Sequence, residues 1–125
     1  MTMASTKSID NSQDVIDSRD VIERIDYLAY LDDEPEEDRD KDDWKELTAL
    51  RALTEEASGY APDWTYGEAL IRDSYFTEYA EELVKGLGDL PKEIPHYIEI
   101  DWEKTAANIQ VDYTSVEFDG VTYWI

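Results

Sequence analysis

Carboxylates constrain this chain more than any other feature: 32 Asp and Glu stand against 11 Lys and Arg, a formal charge of −21 at pH 7. Ionised carboxylates are not buried without partners, and the cations are too few to pair with them, so a compact fold must keep most of its acids in water. The core then has to come from apolar residues that recur at regular spacing between the acids. At 125 residues the chain suits one domain with a core of Leu, Ile, Val, Trp and Tyr.

That spacing divides the sequence. Residues 1–16 are polar and aperiodic and read as a flexible N-terminal arm, leaving 17–125 as a single acidic α+β domain. From Ser18 to about Leu31, Val21, Ile22, Ile25, Leu28 and Ala29 fill one arc of a helical wheel, while Asp20, Glu23 and Asp26 lie opposite with Tyr27 and Tyr30. The run DDEPEEDRDKDD over residues 32–43 reads as a solvated acidic loop, because like charges around Pro35 oppose packing. Asp43 and Glu46 then form a D-x-x-E start for a second helix with Leu47, Leu50, Leu53 and Ala57 on its buried stripe and Gly59 at its end.

Past a turn at Pro62-Asp63, residues 65–72 form a short strand or an extended passage. Asp73 or Ser74 caps a third helix whose wide apolar arc runs from Tyr75 to Leu87, against Glu78, Glu81 and Glu82, and Gly88 stops it. Pro91 and Pro95 frame a connector, and Asp101 caps a short helix carrying Trp102, Ala106 and Ile109. The C-terminus is a β-hairpin. Asp119-Gly120 suits a type I′ turn, which sets Phe118 opposite Val121 and Val116 opposite Tyr123, with all four on one packed face. The expected fold class is α+β, with three or four amphipathic helices around a small antiparallel sheet.

Catalytic chemistry finds little foothold. There is no Cys, so disulfides, thiolate metal sites and cysteine nucleophiles are excluded. His96 is the one histidine, no G-x-S-x-G is present, and the five glycines make neither G-x-x-x-x-G-K nor G-x-G-x-x-G. Asp38, Asp40 and Asp42 imitate the opening of an EF-hand loop, but the sixth position is Asp43 where Gly is needed and the twelfth is Ala49 where Glu is needed. A two-metal nuclease would need a basic patch to hold nucleic acid, and none is present. The expectation is a protein that is not an enzyme and uses no cofactor or metal. The polar start, with neither a signal-peptide-like run nor a span-length apolar stretch, makes a cytoplasmic setting the default.

What remains is the carboxylate pattern. Duplex DNA carries one charge per ~1.7 Å of axis, so 21 charges match about 36 Å of duplex. A compact chain of 125 residues has a diameter of about 36 Å. On a helix, acids three or four residues apart advance about 4.5–6 Å, the scale of successive phosphates. Asp20, Glu23 and Asp26 have that spacing, as do Glu78 with Glu81 or Glu82, and the loop adds Asp32, Asp33, Glu34, Glu36, Glu37 and Asp38. These twelve are the candidate partner-binding residues. The plain alternative, solvated faces of ordinary amphipathic helices, accounts for any one element but not for the summed charge. Anionic membranes and nucleic acid itself repel such a surface, so its natural partner is a basic DNA-binding protein. An acidic interaction module for a host basic DNA-binding protein or transcription regulator, with no defence role, satisfies the same chemistry. Halophilic adaptation is a further alternative; it predicts collapse at low salt, where a DNA mimic stays folded.

The C-terminal half adds a family likeness. SYFTEYAEELVKGLG followed by IDWEKTAANIQVDYTSVEFDGVTYWI resembles the C-terminal region of the ArdA antirestriction proteins, carried on Phe76, Tyr79, Ala80, Glu81 and Glu82, the Ile100-Asp101-Trp102-Glu103 helix start and the Phe118-Asp119-Gly120 turn. The likeness covers residues 64–125. It implies a DNA mimic that fills the DNA groove of type I restriction and modification enzymes in a bacterial host, often as a homodimer. The chain departs from that family in lacking its strand-rich N-terminal domain, which opens the target to other DNA-binding defence complexes, such as a CRISPR effector.

Overall fold

A computed structural model describes residues 6–87 and 95–125. Strands β1 (Val15–Asp17), β2 (Ala69–Arg72), β3 (Ser115–Phe118) and β4 (Val121–Trp124) form one antiparallel sheet in the order β1-β2-β4-β3. The α-helices among the described residues are α1 (Ser18–Leu28), α2 (Lys41–Ala57), α3 (Phe76–Gly86) and α4 (Trp102–Gln110).

Strand alternation sorts the core into two layers. Ile16, Leu70, Val116, Phe118 and Tyr123 point to one face, where Val21 of α1 and Leu50, Leu53 and Ala57 of α2 close over them. Their neighbours Ile71 and Trp124 point to the other, against Phe76 and Ala80 of α3 and Ala106 of α4. The sheet therefore lies between α1/α2 and α3/α4. A third cluster, Leu28, Leu31 and Leu47, fastens the far ends of α1 and α2 together.

The α+β class and the C-terminal hairpin stand as the sequence indicates. Phe118 pairs with Val121 and Val116 with Tyr123. Asp119 and Gly120 both take positive φ, 48° and 83°, as a type I′ turn demands. Asp101 caps α4 by accepting from the Lys104 amide at 3.0 Å.

Five local expectations are corrected. The flexible arm assigned to residues 1–16 is docked from Thr6 onward: Ile9 is in the core, Val15–Asp17 pairs with β2, and Asn11 donates to the Asp119 carbonyl at 2.9 Å. Apolar burial at Ile9 and Ile16 offsets the ordering entropy that the polar composition alone suggested would prevail. The acidic loop 32–43 is likewise ordered. It folds as two 3₁₀ turns, Ala29–Asp33 and Glu36–Asp38, and α2 begins at Lys41 because Asp40, not Asp43, accepts from the Asp42 and Asp43 amides. The first helix correspondingly gives way to 3₁₀ geometry after Leu28. Finally, neither Asp73 nor Ser74 caps α3; a 3₁₀ turn (Asp73–Tyr75) leads into it, with Asp73 accepting instead from the Trp124 indole at 2.9 Å and Ser74 from Arg72. The expected stop at Gly88 and the connector proline Pro91 lie outside the described residues.

Candidate protein-binding surface

The acidic surface is built on helix ends fixed by short-range bonds. Asp17 caps α1 by accepting from the Arg19 amide at 2.9 Å, and the Arg19 guanidinium folds back onto the same carboxylate at 2.7 Å. That pair holds the Asp17 carboxyl below its usual range. Ser18 is fully buried, donating to the Trp64 carbonyl at 2.7 Å and accepting from the Glu68 amide at 2.7 Å, which pins the start of α1 to the chain entering β2. With one side of α1 so anchored, Asp20, Glu23 and Asp26 all face water.

Those three continue onto a wider face. Tyr27 and Tyr30 are 37% and 50% exposed beside them. Partial desolvation first, then the fields of Asp43, Tyr27, Glu34 and Asp40, raise the pKa of the Tyr30 phenol, so its acidic neighbours are Glu34, from the link between the two 3₁₀ turns, and Asp40 and Asp43 at the start of α2. Asp33, Glu36, Glu37 and Asp38 are exposed along the same connection and Glu34 is half-buried. Asp32 differs from its neighbours, because Arg51 grips it through two bonds of 2.9 and 2.6 Å and lowers its pKa. It contributes a neutral pair to the surface, not a free charge.

Glu78, Glu81 and Glu82 belong elsewhere. They project from α3, on the opposite side of the sheet from α1, so the two stripes do not form one continuous row. Glu78 and Glu82 are exposed, and Glu81 pairs with Lys85 at 2.8 Å. Of the twelve acids that the sequence nominates, nine sit on the α1–α2 side and three on the α3 side.

The distribution of positive charge matters as much. All five arginines are committed inside the molecule: Arg19 to Asp17, Arg24 to Glu46, Arg51 to Asp32, Arg39 to the Leu31 carbonyl at 2.8 Å and Arg72 to the Asn11 carbonyl at 2.7 Å. Arg39 also lies over the Trp44 ring, 4.1 Å from its centroid. Four ion pairs are present among the described residues, far too few to balance the acids, so the surface stays strongly negative. His96 is exposed beside Tyr97. Asp40, part of the EF-hand-like string, is occupied as the cap of α2.

One element escaped the sequence reading. Arg24 and Glu46 form a buried ion pair, with side chains 8% and 10% exposed, and Glu46 accepts four hydrogen bonds: Arg24 Nε at 2.7 Å, Arg24 Nη2 at 3.0 Å, Ser8 Oγ at 2.8 Å and the Ile9 amide at 3.1 Å. Arg24 Nη1 reaches on to the Thr6 carbonyl at 3.1 Å. Burial alone would push the Glu46 carboxyl up; the guanidinium, the amide and the hydroxyl outweigh it and hold it below the ordinary glutamate value. A signal was available, since Arg24 borders the apolar arc, three residues after Val21 and four before Leu28. Compared with protein-family models, with curated proteins and with solved structures, the chain matches none.

Proposed function

We propose that this protein is a DNA mimic that inhibits a bacterial defence nuclease complex, a type I restriction-modification enzyme or a CRISPR effector, by occupying its DNA-binding groove. The observation that carries the proposal is the α1–α2 face. There Asp20, Glu23 and Asp26 stand in water at helical spacing, the acids of the 3₁₀ turns extend the row, and every arginine is turned to an internal partner. Carboxylates held on a packed scaffold meet the partner's Lys and Arg where phosphates would, with the ordering of the backbone already complete in the free protein. The likeness of residues 64–125 to ArdA proteins supports the same direction. Mimicry requires no bond-making, and the side chains are assigned no catalytic role.

The test is capture of a nuclease complex from a restriction-positive and CRISPR-positive bacterial lysate at low salt, repeated with excess duplex DNA, followed by a cleavage assay on the captured complex. DNA should displace the protein, and the protein should block cleavage in proportion to its concentration. Capture that is indifferent to DNA would defeat the mimicry reading and indicate an acidic adaptor instead.

A further inference from the structure

We propose that the outer edge of β3 takes an extended, basic segment of the partner as an added strand, an inference that rests on the reading above. Thr114 and Ile125 exchange both backbone hydrogen bonds, each at 2.9 Å. In an antiparallel ladder bonded pairs alternate, so Val116 and Phe118 also turn their N–H and C=O groups toward β4. Ser115 and Glu117 therefore direct theirs away from the sheet. Among the described residues no strand pairs with that edge, and an unpaired edge is a template for another chain.

Beside the edge runs a groove of about 520 Å³, lined by Trp44, Ala49 and Ala52 of α2 and by Glu117 and Asp119 of the hairpin. A second hollow of about 220 Å³ shares Lys45, Ala49 and Asp119 with it and adds Asp10, Asp42 and Asp43. The two meet at Lys45, Ala49 and Asp119, the first mainly apolar and the second lined by acids. A β-strand turns alternate residues to opposite faces, and the exposed Ser115 and Glu117 alternate with the buried Val116 and Phe118. A segment alternating apolar and basic residues would therefore set its apolar side chains on the α2 side, against Ala49 and Ala52, and its Lys or Arg on the other face beside Glu117, while Asp42, Asp43 and Asp119 supply the field that attracts a basic segment. Charge decides against a second copy of this chain as the occupant. Each copy carries −21, and a two-fold antiparallel pairing of β3 with itself would bring the acids flanking one edge toward those flanking the other.

The probe is the peptide acetyl-Lys-Val-Lys-Val-Lys-Val-Lys-amide, titrated into the full-length protein and followed by amide NMR. The same peptide with every backbone amide N-methylated keeps the charge but offers no N–H and cannot join a ladder. The Lys-Val peptide should shift the Ser115 and Glu117 amides and the Trp44 indole and bind at least tenfold more tightly than its N-methylated form. Ala52→Arg, at an exposed position, should cost tenfold or more by filling the groove and opposing the basic segment. Ser115→Pro removes an outward-facing donor while sparing the bonded pairs, and should do the same. Equal binding of both peptides, with shifts spread over α1 and α3, would overturn the proposal, as would Lys-Val binding that neither variant weakens. The outcomes for the parent reading are separate. If DNA fails to compete for the captured nuclease while the Lys-Val preference holds, mimicry falls and the strand-addition site stands; if DNA competes and the preference is absent, the reverse follows.

Discussion

Removing the Arg24 guanidinium is expected to cost this fold more than any surface substitution. In Arg24→Met the Glu46 carboxylate keeps only the Ser8 hydroxyl and the Ile9 amide, in a site where its side chain is 10% exposed. Breaking a buried pair by deleting one partner costs about 3–5 kcal/mol, mostly from the uncompensated charge left behind. With an unfolding entropy of about 2.1 cal/mol/K per residue, 125 residues give about 0.26 kcal/mol/K, so the melting temperature should fall by about 10–20 °C. Thermal melts followed by circular dichroism at pH 7 measure this. The loss should be position-specific, so Arg24→Met/Glu46→Leu should recover at least half of it. A pH series supplies the sign. The Glu46 pKa is depressed below its ordinary value of 4.5 in the folded protein, so its contribution is present above that value and lost as pH falls through the folded pKa. In Arg24→Met the buried carboxylate without its guanidinium is penalised, which raises its folded pKa above 4.5, so the gap between parent and variant should begin to narrow above pH 4.5, as protonation relieves that penalty, and narrow further below it, as the parent loses its own contribution. An Arg24→Met melting point within about 3 °C of the parent at pH 7 would refute the assignment of Arg24–Glu46 as the clasp holding the N-terminal segment.

The remaining predictions concern surface, turn and chemistry. Neutralising Asp20, Glu23 and Asp26 to Asn, Gln and Asn should weaken partner capture several-fold, chiefly through a slower association rate that converges on the parent's as salt rises; Glu78, Glu82 and Glu103 to Gln on the other side removes the same charge, and an equal loss would make the surface a generic polyanion. Asp32 is unsuited to such a control because Arg51 already neutralises it. Gly120→Val should lower stability by at least 1–2 kcal/mol, since a β-branched residue is strained at a φ of 83°; an unchanged melting temperature would contradict the turn geometry. Added NaCl should raise the melting temperature by screening carboxylate repulsion, with the protein still folded at about 10 mM salt, and unfolding there would favour halophilic adaptation. Purified protein with magnesium, manganese or zinc should neither cut nucleic acid nor hydrolyse nucleotides, and metal-dependent turnover abolished by Asp38→Asn/Asp40→Asn would reverse that assignment.

Local chemistry was legible from the chain itself. The period of Val21, Ile25 and Leu28 specifies α1 and its buried side, Asp101 specifies the start of α4, and Asp119-Gly120 fixes a register in which Val116, Phe118 and Tyr123 must share a face, because a one-residue slip would turn all of them to water. Each depends on residues within a turn or two of one another. Tertiary structure decided what depends on distant partners. Residues 6–16 look unstructured until Ile9 meets the core and β1 meets β2; the acidic run 32–43 looks repelled from itself until Arg51, nineteen residues from Asp32, and Arg39 above Trp44 give it something to fold against. The acids illustrate the division most clearly. Helical spacing alone exposes Asp20, Glu23 and Asp26 as one stripe and Glu78 and Glu82 as another. The pairing of Glu81 with Lys85, four residues on along α3, is of the same local kind, but the separation of the stripes onto opposite layers and the neutralisation of Asp32 followed from the sheet lying between α1 and α3 and from Arg51 reaching Asp32 across nineteen residues, neither of which a periodicity can encode.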